Sequence, residues 1–157
     1  HMNEFAAKKL GEVLAFALVG DETLEKGRSV LSPVLGENEL TDILDKNRIH
    51  ADELKKLAGE LGVSEIVNAK FEKTGAKLRE MRELYIGGEW ENPTEILEWS
   101  GFFEGAAFVH WGLVKGVAET LNHELLMTLA EECMNFHHDL LDTISSELQS
   151  VGQTKAQ

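Results

Sequence analysis

Only one cysteine, two prolines and one tyrosine occur in the 157 residues. A single thiol, Cys133, excludes an internal disulfide framework and the small secreted scaffolds that depend on one. So few prolines, tyrosines and β-branched runs argue against a sandwich or barrel, whose turns and half-buried strands draw on those residues. No apolar run reaches the roughly 20 residues that a bilayer span needs. The longest nearly uncharged run, Trp99–Val114, has 16 residues and is interrupted by Glu104 and His110. No basic segment precedes the apolar stretch Val13–Val19, so no secretory leader is expected and a cytoplasmic protein is. His1-Met2 reads as a cloning remnant, and His1 takes no part in the candidate sites.

Positive charge is also scarce. Lys plus Arg is 15 against 28 Asp plus Glu, a formal charge of −13. A body this acidic repels phosphate backbones and anionic membranes. The imbalance is uneven: residues 46–82 hold nine basic and six acidic side chains, while 83–157 hold two and thirteen. Only the basic stretch 46–82 offers nucleic acid a surface of suitable charge.

What is present is helical periodicity, with a 43% hydrophobic fraction that suffices for a core. The expected class is all-α: an antiparallel bundle of three long helices with shorter N-terminal helices, in one domain over residues 1–152. The shorter helices fill 3–61. Asn3 caps the first, whose apolar side is Phe5, Leu10, Val13, Leu14 and Leu18, and Gly20 is placed to end it. A second is expected over 21–31, closed by Ser32-Pro33 because proline disfavours a helical residue before it. Asn38 can cap a third carrying Leu40, Ile43 and Leu44. A fourth over 51–61 carries Leu54, Leu57, Ala58 and Leu61 and stops at Gly62.

The long-helix bundle is expected over 64–150. Residues 64–86 carry Val67, Phe71, Thr74, Leu78, Met81 and Tyr85 in alternating steps of four and three, the narrow seam of a coiled coil. Gly87-Gly88 ends them. In Asn92-Pro93-Thr94-Glu95, Asn92 accepts amide bonds, Pro93 sits where no donor is missed, and Glu95 faces the positive end of the helix dipole. A helix from Pro93 to about Lys115 is apolar almost all round between Trp99 and Val114, so other helices should surround it. Its glycines, Gly101, Gly105, Gly112 and Gly116, mark a face for close helix approach. A last helix over about 120–150 carries Met127, Ala130, Met134, Leu141, Ile144 and Leu148, and residues 153–157 are expected to be a disordered tail. Residues 93–150 form either one helix of roughly 87 Å or an antiparallel hairpin. Gly112, Gly116, and Thr120 or Asn122 as a new cap favour a hairpin turning near 116–119.

Ionisable residues among apolar ones in this C-terminal region are the candidate site. With a turn centred near 118, Glu104 lies level with Glu132, with His137 just over a turn beyond, and His110 within a turn of His123. Carboxylates and imidazoles gathered inside a bundle are how helical proteins hold iron, manganese or zinc. Glu104, His110, His123, Glu132 and His137 are therefore the candidate metal or small-ligand set, and a transition metal is the cofactor they would suit. A buried, hydrogen-bonded structural role is the competing expectation. The Glu-x-x-His pair of di-metal bundles is absent, since Ala107, Thr120, Met134 and Asn135 stand three before His110, His123, His137 and His138. Glu131, His138 and Asp142 lie off the seam and read as a solvated face. Cys133 has Leu126, Leu129, Phe136 and Leu140 at helical spacing and reads as a core thiol. No nucleophile elbow or Ser/His/Asp set is visible, so a non-enzymatic binding or interaction protein is expected.

In the basic middle, Leu54-Lys55-Lys56-Leu57-Ala58-Gly59-Glu60-Leu61-Gly62-Val63-Ser64-Glu65-Ile66-Val67 resembles the helix-turn-helix of DNA-binding regulators. Ala58 falls near the end of one helix, Gly62 at the turn, and Val63-Ser64 leads into the next; Asn68 stands where that pattern has a buried aliphatic. The resemblance covers about 20 residues and implies that Glu65, Asn68 and Ala69 face bases while Lys70, Lys73 and Lys77 approach phosphates. The alternative function is thus a DNA-binding regulator using 54–77, with C-terminal helices for oligomerisation. Under either reading a homo-oligomer is expected, joined through the seam of 64–86 or the glycine-lined face of 93–115.

Overall fold

The computed structural model describes residues 1–157 as six α-helices without a strand: α1 Glu4–Lys26, α2 Arg28–Leu35, α3 Glu37–Glu60, α4 Ser64–Ile86, α5 Pro93–Leu121 and α6 Glu124–Lys155. The all-helical class is as expected. No helix is long and apolar enough to cross a membrane. The start and stop chemistry holds where a cap is strong. Asn3 Oδ1 accepts the Ala6 amide at 2.9 Å and Asn92 Oδ1 accepts that of Thr94 at 3.0 Å. Gly87 ends α4 in the left-handed region at φ 61°.

Five helices are long, where three were expected, because two anticipated breaks are absent. α1 runs on through Gly20 to Lys26. A glycine inside a helix costs about 1 kcal/mol against alanine, and here its bare backbone admits a neighbour: a Cβ at Gly20 would stand 3.2 Å from the Phe103 ring. α3 is continuous from Glu37 to Glu60, across the interval left between the two short helices expected there. Asn47 secures that middle, its Nδ2 donating to the Ala17 carbonyl and to Asp21 Oδ1, both at 2.7 Å. Pro33 lies inside α2, which ends two residues later at Leu35. At the other end α6 stays helical through Lys155, into the segment expected to be disordered.

The core is built around α1. From Leu10 to Val19 it is buried on nearly every side, with Leu10, Val13, Ala15 and Val19 at 0% exposure. α4 lies beside it and runs in the same direction, as the pairs Glu12–Lys70, Glu22–Arg79 and Lys26–Glu83 show. α5 runs the opposite way, with Gly27 against Ile96 and Gly20 against Phe103. A chain crossing from α3 through α4 to α5 brings α4 in parallel to α1, a pairing outside the three long helices for which an antiparallel order was expected. Two apolar clusters fill the interior. One joins Leu10, Leu14, Leu57, Val67, Trp111 and Leu126; the other joins Phe16, Leu31, Leu40, Ile96, Phe103 and Ile144.

Parallel packing of α1 on α4 needs close backbones at one end and paired charges at the other. At Gly11 a Cβ would stand 2.6 Å from the Val67 carbonyl oxygen and 2.7 Å from Lys70 Cβ. At the far end Arg79 grips Glu22 with two bonds of 2.9 and 2.8 Å, and buried Arg82 reaches Thr23 Oγ1 at 3.2 Å. The Arg79 bond holds the Glu22 carboxyl below its usual range. Gly11→Ala is expected to destabilise the fold by about 2 kcal/mol through overpacking, against its better helix propensity. Gly59→Ala, where the new Cβ meets only Ser64 Oγ at 3.8 Å, is expected to be neutral or stabilising. Urea unfolding of the two variants measures both, and equal effects would refute the close-approach argument.

Candidate functional site

The hairpin expected in the C-terminal region is present, with its hinge about four residues later than 118. Asn122 adopts the left-handed conformation at φ 53°, which asparagine tolerates better than most residues. The His123 amide returns to the Ala118 carbonyl at 3.0 Å. His123 Nδ1 then accepts the Leu126 amide at 3.1 Å, so this imidazole is the N-cap of α6. Gly101 faces Ile144, Gly112 faces Met134, and Lys115 pairs with Glu131 at 3.5 Å, which fixes the register of the hairpin.

The shifted hinge decides what meets. Position 104 is carried about two turns further along α6 than expected, past Glu132. Glu104 meets His137 instead, His137 Nδ1 donating to Glu104 Oε1 at 2.6 Å, and the two residues are 5% and 3% exposed. Glu132 is exposed, on the rim of a groove between α3 and α6 with Glu39, Lys46, His50 and Asp139. His110 is elsewhere again. Its Nδ1 donates to the Ala106 carbonyl at 2.7 Å, and its ring lies 4.9 Å from that of Phe16. It stands roughly 20 Å along the hairpin from His123.

Of the five candidates, then, only Glu104 and His137 come together. Each of the others has a local task, and no group of three or more His, Cys, Asp or Glu side chains is placed to hold a metal ion. The structure thus does not gather the five expected residues into one metal-binding set. The cavity beside the pair, lined also by Asn47, Trp99 and Ser100, measures about 20 Å³. That is space for about one water molecule.

Two side chains near the pair escaped the sequence reading. His50 packs edge-on against Phe136 with ring centroids 5.4 Å apart, and its Nδ1 is buried without a hydrogen bond. Burial lowers its pKa below the ordinary 6.5, and His137 and Lys46 act in the same direction. Asn47 is the other. Both belong to the stripe Ile43, Asn47, His50, Leu54, Leu57, visible only when α3 is read as one helix. Burial pushes the Asp21 carboxyl beside Asn47 up from its ordinary range. Cys133 is buried and its thiol is likewise pushed up by burial, as suits a core residue. His138 and Asp142 are largely exposed, the solvated face expected of them.

The basic segment forms a helix–turn–helix in the plain geometric sense, α3 turning at Gly62 (φ 71°) into α4. Glu65, Asn68, Ala69, Lys73 and Lys77 are exposed, while Lys70 is half-buried and 4.0 Å from Glu12.

One surface stands out by its apolarity. α5 is not surrounded: Phe102 is 66% exposed and Val109 60%. Together with α4 it walls an open groove of about 530 Å³ in which every lining residue is hydrophobic. Leu78, Met81, Leu84 and Tyr85 form one side, Trp99, Phe102 and Ala106 the other, and Phe16 and Phe103 complete the lining. Gly105 and Gly116 have no atom within 4 Å of a built Cβ, so half of the glycine face has no neighbour in the chain.

Compared with protein-family models, curated proteins and solved structures, the chain matches none of them.

The Glu104–His137 pair is buried and joined by a hydrogen bond across the hairpin, an arrangement that suits a structural role. His137→Ala is expected to destabilise by about 3 kcal/mol, because it strands a buried carboxylate. Replacing both residues by apolar ones of similar volume, Glu104→Met with His137→Phe, should cost clearly less than either single truncation. Chemical denaturation of the double-mutant cycle tests this, and additive losses would sink it.

Proposed function

We infer that the chain is a non-enzymatic interaction protein whose working surface is the apolar face shared by α4 and α5. The observation that carries this reading is the exposure of Phe102, Val109 and Leu84 beside a groove without a polar lining atom from any charged side chain. A contiguous patch of this kind on a protein so rich in carboxylates marks a surface meant to be covered. The groove has the form that takes an amphipathic helix, with α4 and α5 as its walls and anchors at helical spacing. In the interior, the buried Glu104–His137 pair borders a cavity of only about 20 Å³, and the thiol lies in the core.

The neutral dye Nile red tests the surface in dilute protein. Its fluorescence should rise on the wild type and fall severalfold with Phe102→Glu or Leu84→Glu, while helicity is unchanged because both side chains are exposed. No dye response in the wild type would sink the reading.

A second reading, DNA contact through α4, is favoured by the exposure of Asn68, Lys73 and Lys77 along one helix. It predicts a mobility shift on duplex DNA at low salt that Lys73→Glu weakens. No shift at micromolar protein would exclude it.

A further inference from the structure

Trp99 borders two spaces, the apolar groove and the inner cavity of about 20 Å³. Four helices each contribute a polar side chain to the lining of that cavity: Asp21 from α1, Asn47 from α3, Glu104 from α5 and His137 from α6. Two of these already form one hydrogen-bonded pair, Asn47 with Asp21, and two form another, His137 with Glu104.

Hydrogen-bonding capacity around the cavity exceeds what the side chains use among themselves. Trp99 is 5% exposed, and its Nε1 is a buried donor without an acceptor. A carboxylate has about four acceptor sites, and Glu104 receives one bond, on Oε1. Asn47 commits its amide nitrogen to the Ala17 carbonyl and to Asp21, which leaves Oδ1 as an acceptor. Ser100 gives its hydroxyl proton to the Ile96 carbonyl at 2.8 Å, so it has none to offer the cavity. What these groups need is a molecule that takes one proton and gives two. Water is the smallest that does so. Cavities that stay dry are lined by apolar side chains, whereas a polar one of at least about 10–15 Å³ holds a water that finds roughly two to four partners.

We propose that the cavity is a binding site for one water molecule, which accepts the Trp99 Nε1 proton and donates to Glu104 Oε2 and Asn47 Oδ1. The water joins the α1–α3 pair to the α5–α6 pair, so one polar network ties four helices together. It also gives the buried Glu104 carboxylate a second partner against its desolvation. Asp21, which lines an outer groove of about 250 Å³ as well, marks the route by which this water exchanges with solvent. The site is independent of the α4–α5 surface.

The indole proton of Trp99 carries the test. The chain has three tryptophans, and Trp99→Phe identifies the signal by its loss. In the wild type this proton should show a dipolar cross peak at the water frequency in rotating-frame NOE spectra. The peak should survive in Ser100→Ala, which removes a hydroxyl that would otherwise relay it. Crystals of the wild type should show density for one water within about 3 Å of Trp99 Nε1 and Glu104 Oε2. Urea unfolding tests the link: the loss in folding constant for Asn47→Ala combined with Glu104→Gln should fall about threefold short of the product of the separate losses. A wild type without the density or without the cross peak, or a cross peak lost in Ser100→Ala, overturns the site. Strictly additive effects overturn the joining of the two pairs.

Discussion

The pairing of α5 with α6 hangs on Asn122 and His123. Asn122 turns the chain through a left-handed conformation and His123 caps the helix that follows. Because side chains on a helix repeat every 3.6 residues, the place of that hinge sets which side of α5 meets α6, which side meets α1, and which side is left over. Glu104 is buried because this register delivers it to His137. Phe102, Val109 and Leu113 are exposed for the same reason. The hairpin buries α5 on its other sides and leaves a seam in water.

This division places the buried polar pairs and the exposed apolar seam in different parts of the molecule. Inside, several polar groups are matched: Glu104 with His137, Asn47 with Asp21 and the Ala17 carbonyl, Arg82 with Thr23, whereas His50 Nδ1 and Trp99 Nε1 have no partner. Each such pair costs desolvation that its partner offsets, and it selects one register among several apolar alternatives. Outside, a formal charge of −13 repels other acidic bodies, and the α4–α5 groove is a part of the surface whose lining carries no charge.

Much of the fold was legible where local chemistry is decisive. Asn3, Asn92, Pro93 and Gly87 act through groups within three residues of themselves, so their consequences follow from the chain alone. Gly20 and the 45–50 interval did not yield to the same reasoning, because tertiary partners decide them: the Phe103 ring fills the space above Gly20, and Asn47 is held by α1. The site suffered from leverage. A hinge displaced by about four residues moves every cross-pair by about twice as many, enough to exchange Glu132 for His137. His123 was read as a ligand and is a cap, a role that needs the helix start at Glu124 to be known. The seam of α4 was read as one narrow stripe; its early part faces α1, and its later part, with Leu84 added, lies open. His50 was lost with the continuity of α3.

The parallel union of α1 with α4 has a bearing on how the molecule is made. α1 is synthesised before the helices that cover it, and its main neighbour is separated from it by the whole of α2 and α3. Until α4 leaves the ribosome, the apolar stretch Leu10–Val19 has only α2 and α3 to cover it and is open to misassociation. Helical proteins usually assemble from neighbours in sequence and do so fast; here the central strut must wait for a distant one, which slows collapse to the finished topology.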